Sequence, residues 1–424
     1  MKNSYISFRV KIGVVLMSAS FLCSINTGTL NAQEISDDNV TSVGQRAGAG
    51  NERRKFKAGS FDIIPTISGS VSSDDNVYSD ASNEQSDVIT KISPKISAVS
   101  DWNNHSMGVV AALDVGKYAD NSSEDYQDFN FGANGKLDIQ RGIALSGNAD
   151  YRNTHELRSS PDDANGFEPT EYGIFSLGAK LNHDKGLIDF EIAQTFNSYE
   201  YDNNRNISGI IDNSIRDRNV YSTSVKAAYE VIPNYKAFIR GIYDVYSYDS
   251  TGAVNRDSNG IKIRIGTDIN ISGKTKGNIY IGWVNREYDN VGFDDVSSVE
   301  FGSDLLWNVT GKTSIIADIS RDIVETVDVR SSGYIHTRFN LNGEHELQEK
   351  ILFRSNIGYE IQDFDDSLLF NREDEIYRVG LGVDYYLQRN LKIGLDYSYT
   401  EKDSNQSAND YSTNKAGVSA KFNF

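Results

Sequence analysis

The last nine residues, Ala416-Gly417-Val418-Ser419-Ala420-Lys421-Phe422-Asn423-Phe424, alternate between small or apolar and polar side chains, and the chain stops on an aromatic residue. A period of two predicts a β-strand with one face toward an apolar medium and the other toward water. A bacterial outer-membrane β-barrel ends in this way, because its last strand pairs with its first and its lipid face carries aromatic girdles. An ordinary half-buried strand has the same pattern, so the fold depends on whether the pattern recurs upstream.

The alternation recurs from Phe61 onward, most strictly in residues 261–271 and 377–387. Predicted strands start near residues 61, 87, 105, 126, 143, 171, 187, 219, 236, 259, 277, 297, 313, 333, 351, 374, 391 and 413. Most of these segments are long enough for a tilted membrane strand, which needs roughly 9–11 residues. The pattern therefore predicts about eighteen strands.

The connections between predicted strands alternate between short and long. Short ones are expected at 101–104, 138–142, 183–186, 232–235, 272–276, 310–312, 345–350 and 388–390. Long ones are expected at 73–86, 119–125, 154–170, 199–218, 249–258, 289–296, 324–332, 362–373 and 401–412. Outer-membrane barrels have short periplasmic turns and longer external loops. A long loop such as 154–170 or 199–218 can also fold into the lumen and narrow it.

Two soluble β folds are the alternatives. A β-sandwich has shorter strands and no sustained alternation of loop lengths, and a β-propeller needs a blade repeat of roughly 40–50 residues that is absent here. The sequence therefore predicts an all-β protein, a transmembrane antiparallel up-and-down β-barrel with periplasmic N- and C-termini. An even number of strands is what places both termini on one side.

The composition agrees with a barrel. Only 38% of the residues are hydrophobic and the mean hydropathy is -0.48, while Tyr (24) and Gly (35) are plentiful and Pro (5) is scarce. Beyond the N-terminus, no apolar run approaches the roughly 18 residues that a spanning helix needs. A membrane protein of this composition has to cross with strands, because only half of each barrel strand is apolar.

The N-terminus has the pattern of a secretory signal, with a positive region, a short apolar core at residues 12–22 and a cleavage site after Ala32. The expected parts of the chain are a signal peptide (1–32), a flexible periplasmic lead-in (33–59) and the outer-membrane barrel (60–424). Cys23 lies within the signal, so the mature chain has no disulfide. The net charge of -18 argues against nucleic-acid binding.

The polar face of the predicted strands would line the lumen. Candidate lumen residues are Lys236, Arg240, Asp244, Tyr246, Lys262, Arg264, Asp268, Tyr280, Arg338, Arg354, Arg378, Asp384 and Tyr386. Opposite charges on neighbouring strands are expected to pair, and the same mixture suits a hydrated channel for polar, hydroxyl-rich solutes. Ile265→Asp, toward lipid, is expected to block assembly, whereas Gly266→Asp, toward the lumen, is expected to be tolerated.

The sequence predicts no metal, no cofactor and no enzymatic activity. Asp74-Asp75-Asn76 and residues 363–366 cluster carboxylates that suit Ca²⁺, but neither has the spacing of an EF-hand, and solvated loop charge is the preferred interpretation. His336 near Ser331 or Ser332 is the one conceivable Ser/His pair. The chain has no GxSxG, HExxH, P-loop or CxxC motif.

Several short motifs resemble the family called putative beta-barrel porin 2, an outer-membrane group of proteobacteria. They are Gly59-Ser60-Phe61, Pro65, Asp75-Asn76-Val77-Tyr78, Ser86-Asp87, Pro94, and Ser100-Asp101-Trp102-Asn103-Asn104-His105, with Tyr151 and Glu156 further on. The last run is expected to form a tight periplasmic turn. There Asp101 would accept backbone N–H groups, Trp102 would anchor at the interface and His105 would close the turn.

The resemblance implies an outer-membrane conduit, and some members are linked to secreted polysaccharide. We therefore expect a passive conduit for exopolysaccharide, with a general small-solute porin, or an adhesive or structural barrel with a closed lumen, as alternatives. Expected partners are outer-membrane lipid and lipopolysaccharide, the barrel-assembly machinery that recognises Phe422 and Phe424, and, for export, periplasmic export components. The expected location is the outer membrane of a Gram-negative bacterium.

Overall fold

The computed structural model describes residues 40–49, 56–271, 273–328, 330–364 and 371–424. The predicted signal peptide and its cleavage site lie outside the described residues. Within them the chain is almost entirely β-structure. None of the helices in this part of the chain is long and apolar enough to span a membrane.

Eighteen long antiparallel strands form the barrel. Their bounds are β1 Phe61–Asp74, β2 Asp87–Ser100, β3 His105–Tyr118, β4 Tyr126–Gln140, β5 Ile143–His155, β6 Glu171–Lys185, β7 Ile188–Tyr201, β8 Arg218–Ile232, β9 Tyr235–Tyr248, β10 Ser258–Ile271, β11 Thr275–Tyr288, β12 Val296–Thr310, β13 Thr313–Val324, β14 Tyr334–Gln348, β15 Ile351–Phe364, β16 Glu373–Gln388, β17 Leu391–Ser404 and β18 Tyr411–Asn423. Every predicted strand start lies within two residues of the observed one.

Each strand pairs with its neighbours in sequence, and the sheet closes on itself. β18 pairs with β1 from Thr66↔Asn423 to Asp74↔Lys415, and the Phe424 N–H donates to the Pro65 carbonyl at 3.1 Å. Closure leaves no free edge, which is what a sheet in lipid requires. The predicted closed antiparallel barrel of eighteen strands is confirmed.

The strands present apolar side chains outward and polar side chains inward. Ile263, Ile265 and Val418 are exposed by 49%, 57% and 52% on the outer face, which suits contact with lipid. Gly266 faces inward as predicted, but a Cβ there would lie 2.3 Å from the Ile279 carbonyl oxygen. Facing the lumen is therefore not enough for Gly266→Asp to be tolerated, because the inner wall has no room for a side chain at this position.

The two rims of the barrel differ. The short-turn end has connections of two to four residues, with Gly142 (φ 84°) and Gly186 (φ 77°) in the left-handed conformation that tight turns need. The long-loop end has the nine longer connections, including a small hairpin that pairs Asn204–Asn206 with Gly209–Ile211. Both ends of the barrel chain, at Phe61 and Asn423, lie at the short-turn end.

The predicted flexible lead-in is held to the barrel where the structure describes it. A helix, α1 (Val43–Ala49), lies on the inner wall at the short-turn end, where the Val43 N–H donates to Ser314 Oγ at 2.8 Å and the Gly44 N–H to Glu344 Oε2 at 2.7 Å. Residues 56–58 add a short strand to β1. Specific hydrogen bonds thus hold residues that a pattern without periodicity had suggested were free.

Candidate functional site

All thirteen predicted lumen residues lie on the inner face, opposite the exposed apolar side chains. Most of their charges are paired with opposite charges on nearby strands. The pairs are Lys236–Asp189, Arg240–Glu191, Lys226–Asp268, Lys262–Asp322, Arg264–Glu300, Arg354–Asp384, Arg354–Asp396 and Arg378–Glu360. Pairing makes the wall strongly polar but nearly balanced in charge.

Inward glycines allow some of these pairs to span two strand spacings. Arg354 on β15 faces Gly382 on β16, and Gly382 faces Asp396 on β17. The Arg354 guanidinium crosses over Gly382 and donates to Asp396 Oδ1 at 2.7 Å and to Asp384 Oδ1 at 2.9 Å. A Cβ at Gly382 would lie 2.8 Å from Arg354 Nη2, so the glycine supplies the space that the guanidinium occupies.

The connection between β5 and β6, residues 156–170, crosses the long-loop end, and we refer to it as the crossing loop. Arg158 donates to Glu124, in the β3–β4 connection, at 2.9 and 2.7 Å. Asp162 accepts hydrogen bonds from Thr326 Oγ1 at 2.7 Å and from the Val327 N–H at 3.1 Å. Thr326 lies between β13 and β14, eight strands further along the barrel, so the loop reaches from one wall to nearly the opposite one.

The crossing loop falls within 154–170, the shorter of the two constricting loops that the sequence suggested. Burial raises the pKa of Asp163 to about 6, although Arg158 opposes this shift from 3.4 Å. The crossing loop thus contains a carboxyl group that titrates near neutral pH.

A cluster of arginines and aromatic rings lies beside the crossing loop at the long-loop end. Arg216 forms a bidentate pair with Glu156 at 2.9 and 2.8 Å and lies 4.0 Å from the Tyr201 ring centroid. Arg286 pairs with Glu325 at 2.5 Å and lies 3.8 Å from the Tyr246 ring. This cluster could not be predicted from the sequence, because its members meet only after three separate loops fold over the rim.

Two further arginines complete the cluster. Arg218 lies over Tyr199 at 4.3 Å, and its Nη1 donates to the Arg216 carbonyl at 2.9 Å. Arg256 lies over Phe293 at 4.2 Å and donates to the carbonyls of residues 328, 331 and 332. A pocket opens between these side chains. It is lined by Asp162, Tyr201, Ile215, Arg216, Arg218, Tyr248, Val254, Arg256, Phe293, Glu325, Thr326 and Val327.

The motif-bearing turn at the short-turn end has a hydrogen-bond pattern different from the expected one. Ser100 Oγ, not His105, bonds across the turn and accepts from the Met107 N–H at 2.8 Å. His105 Nδ1 accepts from the Asp138 N–H of the neighbouring strand β4 at 3.1 Å, and Asp101 pairs with Lys57. Trp102 is 44% exposed and packs edge-on against Phe61, as an interfacial anchor would.

The acidic candidates Asp74 and Asp75 and the histidine candidate His336 are engaged in structural contacts, whereas residues 365 and 366 of the second acidic candidate lie outside the described residues. Asp74 pairs with Lys415 at 2.7 Å across the β1–β18 seam, and the Asn414 amide donates to Asp75 at 2.7 Å. His336 contacts Glu360, whereas the Ser331 hydroxyl donates to the Gly333 carbonyl. Within the described ranges, no three His, Cys, Asp or Glu side chains are arranged to hold a metal ion.

The closing strand positions both C-terminal phenylalanines. Phe422 pairs in register with Ile67 and Leu391, and its ring meets the Phe424 ring edge-on at 4.8 Å. Phe424 is 44% exposed. Recognition of these residues by an assembly machinery stays a prediction.

A closed barrel with an apolar exterior and a polar lumen defines a porin-like outer-membrane β-barrel. The chain belongs to the family Putative beta-barrel porin 2, whose model matches residues 55–424. The resemblance drawn from the short motifs is therefore confirmed, over far more of the chain than the motifs cover. No curated protein matches the sequence.

Solved outer-membrane barrels are similar in shape but distant in sequence. OccK3 of Pseudomonas aeruginosa is 11% identical with a TM-score of 0.44, and the match covers 85% of this chain and 95% of that one. A BenF-like porin of Pseudomonas fluorescens is 8% identical with a TM-score of 0.46, covering 86% and 99%. The siderophore receptor PirA of Acinetobacter baumannii is 6% identical with a TM-score of 0.46, covering 85% and 80%.

Proposed function

We propose that the protein is a passive porin for small polar solutes, without catalytic activity. The observation that carries this proposal is the inner face of the closed barrel, which is polar along its length and nearly balanced in charge. A barrel of about eighteen strands is wide enough for an aqueous channel. Membership of a porin family supports the same function.

The two ends of the lumen favour small solutes over polymers. The crossing loop spans the long-loop end, held by Glu124 on one side and Thr326 on the other, and α1 lies on the wall at the short-turn end. A secreted polysaccharide needs an uninterrupted passage along the axis. The comparisons give no support for export, so we place the general porin ahead of the exopolysaccharide conduit that the resemblance implied.

We also propose an orientation and a route to the membrane. The long-loop end faces the exterior and the short-turn end faces the periplasm, as in other barrels of this kind. Residues 1–32 direct secretion across the inner membrane of a Gram-negative bacterium. Phe422 and Phe424 engage the assembly machinery, and the exposed apolar belt contacts outer-membrane lipid and lipopolysaccharide.

A liposome-swelling assay with the full mature chain tests the proposed function. Proteoliposomes should swell in arabinose and more slowly in stachyose, because the constricted lumen admits the smaller sugar faster. Liposomes that swell in neither sugar would overturn the porin and favour the closed, structural barrel. A deletion strain that loses exopolysaccharide while its permeability to small solutes is unchanged would favour export.

A further inference from the structure

The pocket beside the crossing loop combines three guanidinium groups with apolar walls. Arg216, Arg218 and Arg256 line it together with apolar side chains, namely Ile215, Val254, Phe293 and Val327. The crossing loop contributes Asp162 to the same pocket. The long-loop end thus has three guanidinium groups gathered in one pocket.

Arg218 is a cation without an acidic partner. Among the described residues no carboxylate forms an ion pair with it. Its Nη1 donates to the Arg216 carbonyl at 2.9 Å, and its guanidinium also donates to the Tyr201 side chain. Its Nε is inaccessible and has no hydrogen-bond partner, although the residue as a whole is only half-buried. A guanidinium in this state has donors left over for an anion, and the planar fork of Arg suits a carboxylate.

Arg256 adds a second uncompensated charge. Three backbone carbonyls fix its guanidinium in place, and no described carboxylate forms an ion pair with it. The cluster of Arg216, Arg218, Arg256 and Arg286 faces three acidic side chains, Glu156, Asp162 and Glu325. Burial raises the pKa of Asp162, although the Thr326 hydroxyl and the Val327 N–H, which donate to its carboxyl group, oppose this shift.

The rest of the lining is suited to an apolar body. Phe293 and Tyr248 are each 8% exposed and present ring surface beside the guanidinium groups. Aromatic and aliphatic walls with a few convergent polar groups are the usual composition of a small-molecule site. An inorganic anion would use the guanidinium groups but would gain nothing from the apolar side chains that line the pocket.

We propose that this pocket binds small organic monocarboxylates with an apolar or aromatic body. Arg218 holds the carboxylate, Arg256 adds attraction from the other side, and Phe293 with Val254 and Val327 contacts the apolar part. The proposal names a solute class for the proposed porin and rests on that function for transport. Binding itself does not require conductance.

Isothermal titration of the full mature chain in detergent at pH 7 tests binding with three probes. Benzoate should bind. Benzamide should bind at least about tenfold more weakly than benzoate because it lacks the negative charge. Acetate should also bind more weakly than benzoate because it lacks the ring. Equal affinity for benzoate and benzamide would overturn the role of the guanidinium groups. Equal affinity for benzoate and acetate would overturn the role of the apolar walls.

Two substitutions of the same kind localise the site. Arg218→Gln should weaken benzoate binding at least about tenfold, whereas Arg205→Gln, in the exposed hairpin of the same connection, should leave it unchanged. If Arg218→Gln fails to assemble, Arg218→Lys keeps the charge and should retain part of the affinity. Unchanged affinity in an assembled Arg218→Gln protein would overturn the proposal.

Planar-bilayer recordings separate this inference from the proposed function. Benzoate should reduce the single-channel current of the unsubstituted protein and have less effect on Arg218→Gln. If the protein conducts but benzoate does not reduce the current, the proposed solute class is wrong and the proposed porin function is still supported. If benzoate binds in detergent but the protein does not conduct, the proposed porin function is wrong and the proposed binding site is still supported.

Discussion

Arg264 on β10 reaches Glu300 on β12 across the strand that separates them. Its Nε donates to Glu300 Oε2 at 2.9 Å, and Glu300 has no exposed surface. Gly282 on β11 is the register partner of both residues, and a Cβ there would lie 2.4 Å from the Ile263 carbonyl. An ion pair between β10 and β12 thus stabilises the inner wall, and it can form because Gly282, the residue between Arg264 and Glu300, has no side chain.

Removing the acid of this pair should destabilise the barrel. Glu300→Ala leaves the Arg264 charge buried without its partner, which costs about 3 kcal/mol. The measurement is urea unfolding of the folded protein in detergent. The control is Glu346→Ala. The Lys312–Glu346 pair at the short-turn end spans 3.7 Å, and its Lys312 side chain is 62% exposed, so its loss should cost under about 1 kcal/mol. If the two substitutions lowered the free energy of unfolding equally, the buried Arg264–Glu300 pair would contribute no more to stability than the exposed one.

The inside and outside of β8 can be tested with two adjacent positions. Val225 is 52% exposed at mid-strand on the outer face, and Ser224 faces the lumen. Val225→Arg should cost about 2–4 kcal/mol in lipid because it places a charge at mid-membrane, whereas Ser224→Arg should assemble nearly normally. Assembly is read from the mobility shift of folded barrel on unheated gels. Equal damage from both substitutions would contradict the assignment of the faces.

The helix α1 should narrow the lumen at the short-turn end. A Cβ at Gly44 would lie 2.6 Å from Glu344 Oε1, so Gly44→Val should weaken docking of the helix and raise the single-channel conductance. Deleting residues 40–49 should raise it at least as much. If neither change alters the conductance, α1 lies outside the conducting path.

The crossing loop should be held more firmly at acidic pH. In the folded loop the pKa of Asp163 is about 6, above the ordinary value of 3.8. The Asp163 carboxyl group therefore binds a proton more tightly in the folded loop than in the unfolded one. The resulting stabilisation is present below about pH 4 and is lost as the pH rises through 6. Hydrogen exchange of residues 156–170, corrected for intrinsic rates, should be slower at pH 5 than at pH 7. Asp163→Asn should reduce that difference, and an unchanged difference would exclude Asp163 as its source.

The strands and their faces could be predicted from the sequence because both follow from a local rule. Alternation of side chains fixes which residues of β10 face lipid, so Ile265 and Lys262 were assigned to opposite faces correctly. Closure of β18 on β1 follows from the requirement that no edge remains in lipid.

The ends of the lumen could not be predicted because they depend on contacts distant in sequence. Arg158 meets Glu124, and Asp162 meets Thr326, only after loops from different parts of the rim fold over it. The space at Gly266 also depends on a neighbouring strand, since the limiting atom is the Ile279 carbonyl oxygen. Arg218 lies in no recognisable motif, and its lack of an acidic partner among the described residues can be seen only in the folded structure.

The conductance of the purified mature chain in a planar lipid bilayer tests the central claim most directly. Insertion should produce discrete current steps of uniform size that are proportional to voltage, as a passive aqueous channel requires. Protein that inserts, as judged by its folded mobility after recovery from the bilayer lipid, but carries no current would contradict the account and leave a closed barrel.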